Sequence, residues 1–349
     1  MKRGEDVLRG KTMTSTQNRP GGASFLWNLL KIVLACGLIA FVLSRSDLPN
    51  LIATLRNASV FWLAISGVLY ILLTLLKALQ YSVLMRGSLT YPQVLNVTIW
   101  QNAVSNFFLA GAGIAAYITL TRLEHEVKIS RSVTIFILTK LGDLIAIWVM
   151  LLVTSNLLWS EIGGLQAPVI LIIAGIGGVI AFLFLTILFR QRFVLTLHRM
   201  LEWLKLSTIK PVEQCMHYLQ GLASMDQRKI LTTFGLLLLY SFIYLAVSIA
   251  FIYANLAIFH LHLNVIAVIF VSALIQLVSY FPVSVFGGLG VTETSALYFW
   301  SFFGVPQEVL APALIGIRVV FYLFNLIPLI YLPLYSAFLK PYEPAQNNQ

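Results

Sequence analysis

Apolar stretches of membrane-spanning length recur along this whole chain, and they decide what it can become. A helix that crosses a bilayer needs about 20 consecutive, mostly apolar residues. Residues 25–43, 60–84, 132–157, 167–189, 230–259 and 309 to about 338 each meet that requirement. Two further long stretches, about 93–121 and 264–303, are interrupted, the first by Gly111-Ala112-Gly113 and the second by Pro282 and Gly287-Gly288-Leu289-Gly290. Of the 349 residues, 59% are hydrophobic and 10% charged, against roughly 25% charged in a soluble domain. A soluble enzyme, a disordered chain and a collagen-like chain are excluded. The fold class expected is an all-α integral membrane protein. The run 25–43 lacks a small-x-small cleavage pattern and reads as a retained span, not a removed signal peptide.

Charge sets the orientation. The net charge of +10 is the kind that collects in cytoplasmic loops facing anionic lipid, so no nucleic-acid partner is expected. Residues 1–24 carry Lys2, Arg3, Arg9, Lys11 and Arg19, and 190–229 form a basic loop. With the N-terminus inside, Arg45 and Arg56 alone among the loop cations fall outside. Arg86, Arg122, Lys128 and Arg131 flank the first interrupted stretch. It should therefore dip in from the cytoplasm as two half-helices meeting near Gly111 and Gly113. The second has no flanking Lys or Arg and should dip in from outside. The expectation is six full spans and two oppositely oriented re-entrant hairpins. They fall into membrane halves 25–160 and 161–340 related by inversion, with a cytoplasmic tail, 341–349. Both termini lie inside and the membrane is the cytoplasmic (inner) one. Small parallels support the repeat. Ser105-Asn106-Phe107 precedes the first glycines as Ser279-Tyr280-Phe281 precedes the second, and Lys140 and Arg318 follow at 27 and 28 residues. Glycine- or proline-broken segments in corresponding places mark transporter-like sites.

Broken backbone at membrane depth is tolerated where it is buried in protein or lines a watery cavity. Gly111, Gly113, Gly287, Gly288 and Gly290 permit such turns, and the arms after them would turn helix N-termini toward an anion. Lys140, Asp143, Glu293 and Arg318 should lie deep; Lys140 is about 12 Å and Asp143 about 16 Å from the inner end of its span. A lone charge there costs at least ~2.5–3.5 kcal/mol. Two arrangements answer that cost: internal pairing, Lys140 with Asp143 or Glu293 with Arg318, or a headgroup path lined by the two cations with Glu293 in a proton or orienting role. Lys77, seven residues from the inner end of its span, reads as a snorkelling lysine. Asn102, Asn106, Ser279, Thr292 and Asn325 fit polar cavity lining or interhelical hydrogen bonds equally well. Two cysteines and five histidines show no metal-ligand spacing. No nucleotide loop, nucleophile elbow or His-Glu-x-x-His motif is present. No cofactor, metal or enzymatic activity is expected, although an intramembrane transferase with Glu293 as general base stays open.

Phe281-Pro282-Val283-Ser284-Val285-Phe286-Gly287-Gly288-Leu289-Gly290-Val291-Thr292-Glu293, followed by Phe303-Gly304-Val305-Pro306 and Arg318, resembles the membrane region of lysylphosphatidylglycerol synthase/flippase proteins. Asn102, Asn106, the Gly111/Gly113 turn, Arg122, Arg131 and Asp143 match more loosely. Leu109-Ala110-Gly111 and Thr139-Lys140 stand where that family often has Pro-Gly and Glu-Arg. The resemblance implies lipid handling: a flippase or transporter for an anionic, amino-acylated, glycosylated or polyprenyl/hopanoid-type lipid. The alternative is a non-catalytic membrane partner presenting lipid to a biosynthetic enzyme encoded elsewhere. Fused members carry an aminoacyltransferase domain after the membrane region; with the chain ending at Gln349, that domain is not expected here.

Overall fold

The structure, a computed structural model, describes residues 56–85, 88–108, 110–127, 129–203, 227–279 and 288–336. The first expected span (25–43), Pro282, Gly287, the basic segment 204–226 and the C-terminal tail lie outside the described residues. The described elements are all helical, with no strand among them.

In chain order the helices are α1 (Val60–Leu84), α2 (Tyr91–Phe107), α3 (Ala110–Leu123), α4 (Ile129–Leu157), α5 (Gln166–Trp203), α6 (Gln227–Ile258), α7 (Val265–Ser279), α8 (Val291–Ser301), α9 (Gln307–Leu326) and the short α10 (Tyr331–Leu334). Five segments are long and apolar enough to cross a membrane: Val60–Leu84, Arg131–Leu157, Gly163–Phe182, Thr232–Ile258 and Gln307–Leu334. They coincide with five of the six expected spans; the sixth is the one outside the description. Large apolar side chains such as Phe61, Leu123 and Leu171 face outward, the pattern of a surface solvated by lipid.

Helices α2 and α3 pack on each other, and each is too short to cross a membrane singly. Their 17 and 14 residues give about 25 and 21 Å against a hydrocarbon core of ~30 Å. The pair α7 and α8, 15 and 11 residues, is shorter still. The two half-helices were expected to meet near Gly111 and Gly113; α2 ends at Phe107, just ahead of them, and both glycines lie in the opening turn of α3. Gly113 serves the packing of the pair, because a Cβ there would stand 2.6 Å from Ser105 Cβ and 2.8 Å from the Gln101 carbonyl oxygen. Its missing side chain lets α3 lie directly on α2. At the start of α2, Thr90 donates its N–H to Gln93 Oε1 at 2.8 Å, and Pro92 sits in the first turn, both favourable at a helix N-terminus.

Helix α5 continues past its span without interruption to Trp203. Its 38 residues make about 57 Å of helix, so its basic end projects well beyond a ~30 Å core. His260 and His262 follow the end of α6, where exposed polar residues are ordinary.

The packing has an internal correspondence. Helix α1 packs on α6 at the centre. Around them, α2 packs on α3 as α7 does on α8, α3 on α4 as α8 on α9, α1 on α2 as α6 on α7, and α4 on α7 as α9 on α2. Exchanging α1–α4 with α6–α9 maps each of these packings onto its counterpart, whereas the close packing of α4 on α6 has no equal between α9 and α1. The main apolar core, with Ile147, Leu151, Val268, Phe270 and Leu310 fully buried, lies where α4, α7 and α9 meet the central pair. A smaller cluster around Tyr81, Val94, Tyr117 and Ile135 fastens the α2–α3 pair to α1 and α4.

Candidate functional site

The left-handed backbone at Gly288 (φ 84°) and Gly290 (φ 82°) turns the chain into α8 at a conformation that favours glycine. Three residues on, Glu293 folds back and accepts the Gly290 N–H on Oε2 at 2.7 Å. Its carboxylate thus caps its own helix, where the positive end of the peptide dipoles favours it. Its other oxygen receives Arg318 Nε of α9 at 2.5 Å, and the guanidinium also makes an ion pair with that oxygen and donates to Thr292 Oγ1. Arg318 lies 5.3 Å from the Phe321 ring centroid and 5.9 Å from that of Tyr322. Both charged groups are largely removed from solvent. Glu293 and Arg318 are therefore brought together.

Lys140 and Asp143 share α4, yet the primary partner of Asp143 is Lys77 of α1, whose ammonium reaches Oδ2 at 2.5 Å. Asp143 Oδ1 takes Gln80 Nε2 at 2.9 Å and Ser241 Oγ at 3.3 Å. Lys77 also donates to Gln80 Oε1 at 2.8 Å and lies 4.8 Å from the Tyr244 ring centroid. The snorkelling expected of Lys77 is not found, because a carboxylate within reach outweighs the climb to the headgroups. This cluster joins α1, α4 and α6. Lys140 is half-buried, with its ammonium 5.9 Å from the Phe136 ring centroid.

A third polar node sits at Asn325 of α9. Its Oδ1 accepts Tyr70 OH of α1 and Asn106 Nδ2 of α2, each at 2.5 Å. Phe107 beside it stacks on Tyr322 with centroids 5.9 Å apart. One face of α9, through Arg318, Tyr322 and Asn325, thus meets both short-helix pairs.

These groups surround a central cavity of about 420 Å³, within the ~300–1,000 Å³ of small-molecule sites. Glu293, Arg318, Thr292, Asn106, Asn102 and Lys77 are on its wall, which draws on α1, α2, α6, α7, α8 and α9. A smaller chamber of about 170 Å³ adjoins it, with Lys77, Lys140 and Asp143 on its wall. Five sequence-predicted residues (Glu293, Arg318, Asn106, Lys140 and Asp143) therefore face these two cavities. Gly288 and Gly290 shape the turn into α8. Gly113 is a helix contact, Gly111 is open with nothing within 4 Å of a Cβ, and Gly287 is outside the described residues. Sequence reasoning did not single out Gln80, Ser241, Tyr244, Asn255 or Gln276. The one available signal was the Lys77/Gln80 spacing, which puts two polar groups on one face of an apolar helix. Among the described residues no group of three or more His, Cys, Asp or Glu is positioned to hold a metal.

A family model described as the lysylphosphatidylglycerol synthase TM region matches residues 28–328. The chain belongs to that family. With its apolar helices, membership makes it a multi-pass membrane protein of a family tied to membrane lipid. The match spans both short-helix pairs, the Glu293–Arg318 pair and every wall of the two cavities. No curated protein matches this member of the lysylphosphatidylglycerol synthase TM-region family.

Proposed function

We propose that this protein is a lipid flippase or transporter of the cytoplasmic membrane, not an enzyme, and that its central cavity carries the headgroup between leaflets. The cavity carries this reading: its wall draws on both sets of helices and bears the Glu293–Arg318 pair. A chamber with a few polar and charged groups on a largely apolar wall, set among long and short helices, suits a headgroup whose acyl chains remain in lipid.

The half-for-half correspondence of contacts supports two inverted repeats with α2–α3 and α7–α8 as re-entrant hairpins. Helices this short satisfy their backbones at membrane depth only against protein or water. The basic residues favour a cytoplasmic side for the termini and the 190–229 segment. Within the cavity Glu293 holds Arg318 in place, and Arg318 is the cation positioned to meet a headgroup anion.

The test is lipid movement by purified Glu293→Gln and Arg318→Ala protein in vesicles. Gln keeps one acceptor oxygen, for either Gly290 N–H or Arg318 Nε, and the adjoining cavity leaves the guanidinium hydratable, so the protein should still insert. The expected result is loss of movement in both variants. Full activity in both would overturn the reading and favour a partner that presents lipid to a separate enzyme.

A further inference from the structure

Two seams join a short-helix pair to the last long helix of the other set, and they are filled differently. Helix α7 packs more extensively on α4 than α2 does on α9. The α4–α7 seam belongs to the main apolar core, to which α4 gives Ile147 and Leu151 and α7 gives Val268, Phe270 and Val271. Separating those surfaces would forfeit close packing along the whole contact. At the tip of α2 the other seam is held by polar and aromatic side chains. Asn106 donates to Asn325 Oδ1, which also accepts Tyr70 OH, and the rings of Phe107 and Tyr322 stack with their planes 24° apart. Tyr70 and Asn106 are on the wall of the central cavity. Water or a hydroxyl in the cavity can therefore take over their hydrogen bonds when this seam parts, so that no buried polar group is left bare.

Phe107 and Tyr322 are half-buried and are not on that wall, and the residues that follow them, Phe108 and Leu323, are 63% and 57% exposed. The stack thus lies on the outer side of the seam, between the cavity and the surrounding lipid. A hinge stands beside it. Helix α9 ends at Leu326, and Pro328–Ile330 form a 3₁₀ turn before α10. Proline has no N–H to give, so the ladder of backbone bonds is interrupted there. Beyond the break the chain stays fastened to the base of α2. Leu329 and Leu332 pack with Leu95 and Ile99, and Tyr331 OH donates to the Pro92 carbonyl at 3.3 Å. Helix α9 can tilt away from the tip of α2 while the base holds. Arg318 lies 5.9 Å from the Tyr322 ring centroid, so an anion that draws the guanidinium also acts on the stack.

We propose that the seam between the tip of α2 and α9 is a side gate through which a headgroup passes between lipid and the cavity. Asn106–Asn325 and Phe107–Tyr322 latch it, and Pro328 is its hinge. This assignment rests on the reading of the cavity as the headgroup path.

The test uses full-length protein with Cys36 and Cys215 replaced by serine, in proteoliposomes of phosphatidylcholine and phosphatidylglycerol with fluorescent phosphatidylglycerol as the probe. In a Phe107→Cys/Tyr322→Cys protein a short bis-methanethiosulfonate should join the two helices. Lipid movement should fall to the rate of protein-free vesicles and return on reduction with dithiothreitol. Methyl methanethiosulfonate, which caps both thiols without joining them, should leave movement as it was. Undiminished movement with the seam fully cross-linked would overturn the gate and leave the transport reading standing. An equal loss on capping alone would overturn the gate too, because bulk and not closure would be the cause.

Spin labels read the gate without touching the latch. Phe108→Cys with Leu323→Cys spans the tip of the seam and Tyr91→Cys with Ile330→Cys its base, all four at exposed positions. The tip pair should show two separations and the base pair one. A single tip separation would overturn the gate whether or not lipid moves. Absence of movement by the wild-type protein would sink the transport reading alone, with two tip separations still showing that the seam opens.

Discussion

Asp143 and Lys77 are 66 residues apart in the chain and joined at 2.5 Å. Removing one partner of such a pair leaves a buried charge without its counter-ion, at a cost of about 3–5 kcal/mol, whereas replacing both with apolar groups is often near neutral. Asp143→Ala should therefore lower the thermal midpoint in detergent strongly, and Lys77→Met with Asp143→Leu should recover most of the loss. Additive losses in the double variant would show that the pair is not coupled. The need for partners was legible in the sequence, because four deep charges in apolar segments cannot all be left bare. Which partner each would take was not. Lys140 shares a helix with Asp143, but it is the packing of α1 on α4 and α6 that brings Lys77 to 2.5 Å from it. The Glu293–Arg318 pair was easier to read, since it joins a helix N-terminus to a cation near midspan only 25 positions further along the chain.

Where two helices press backbone to backbone, a single methyl group becomes decisive. A Cβ on Gly113 would collide with Ser105 Cβ and the Gln101 carbonyl. Gly113→Ala should thus separate α3 from α2 and destabilise the protein by about 1–3 kcal/mol. Gly111, two residues away, has nothing within 4 Å of a Cβ, so Gly111→Ala should be tolerated. Comparing the two thermal midpoints checks this, and equal effects would contradict it. The sequence marks both glycine-bearing regions as special but does not separate a glycine that turns the chain from one that admits a neighbour. Gly288 and Gly290, at positive φ, are of the first kind; Gly113 is of the second. That difference explains why α2 ends at Phe107, ahead of the glycines, which belong to α3. Five long apolar spans, whose period and length are local properties, were legible to within a few residues at most of their ends.

At the scale of the whole molecule, α1 and α6 form the axis, and each short-helix pair leans on the last long helix of the opposite set, α2 on α9 and α7 on α4. This exchange leaves the cavity between the sets, so relative movement of the two sets would change its walls. The central claim is that a headgroup passes through this cavity and not along the lipid-facing surface. Ser248 lines the cavity, and Leu171 is 73% exposed on the outer face. The most direct measurement is leaflet-resolved movement of a fluorescent phospholipid in proteoliposomes. Ser248→Cys and Leu171→Cys proteins would be compared before and after reaction with a bulky thiol reagent, with Cys36 and Cys215 replaced by serine. Because modification follows folding, a loss cannot come from failed assembly. The account predicts that blocking residue 248 brings movement down to the rate of protein-free vesicles while the same label at residue 171 leaves it unchanged. Undiminished movement with residue 248 fully labelled would contradict it.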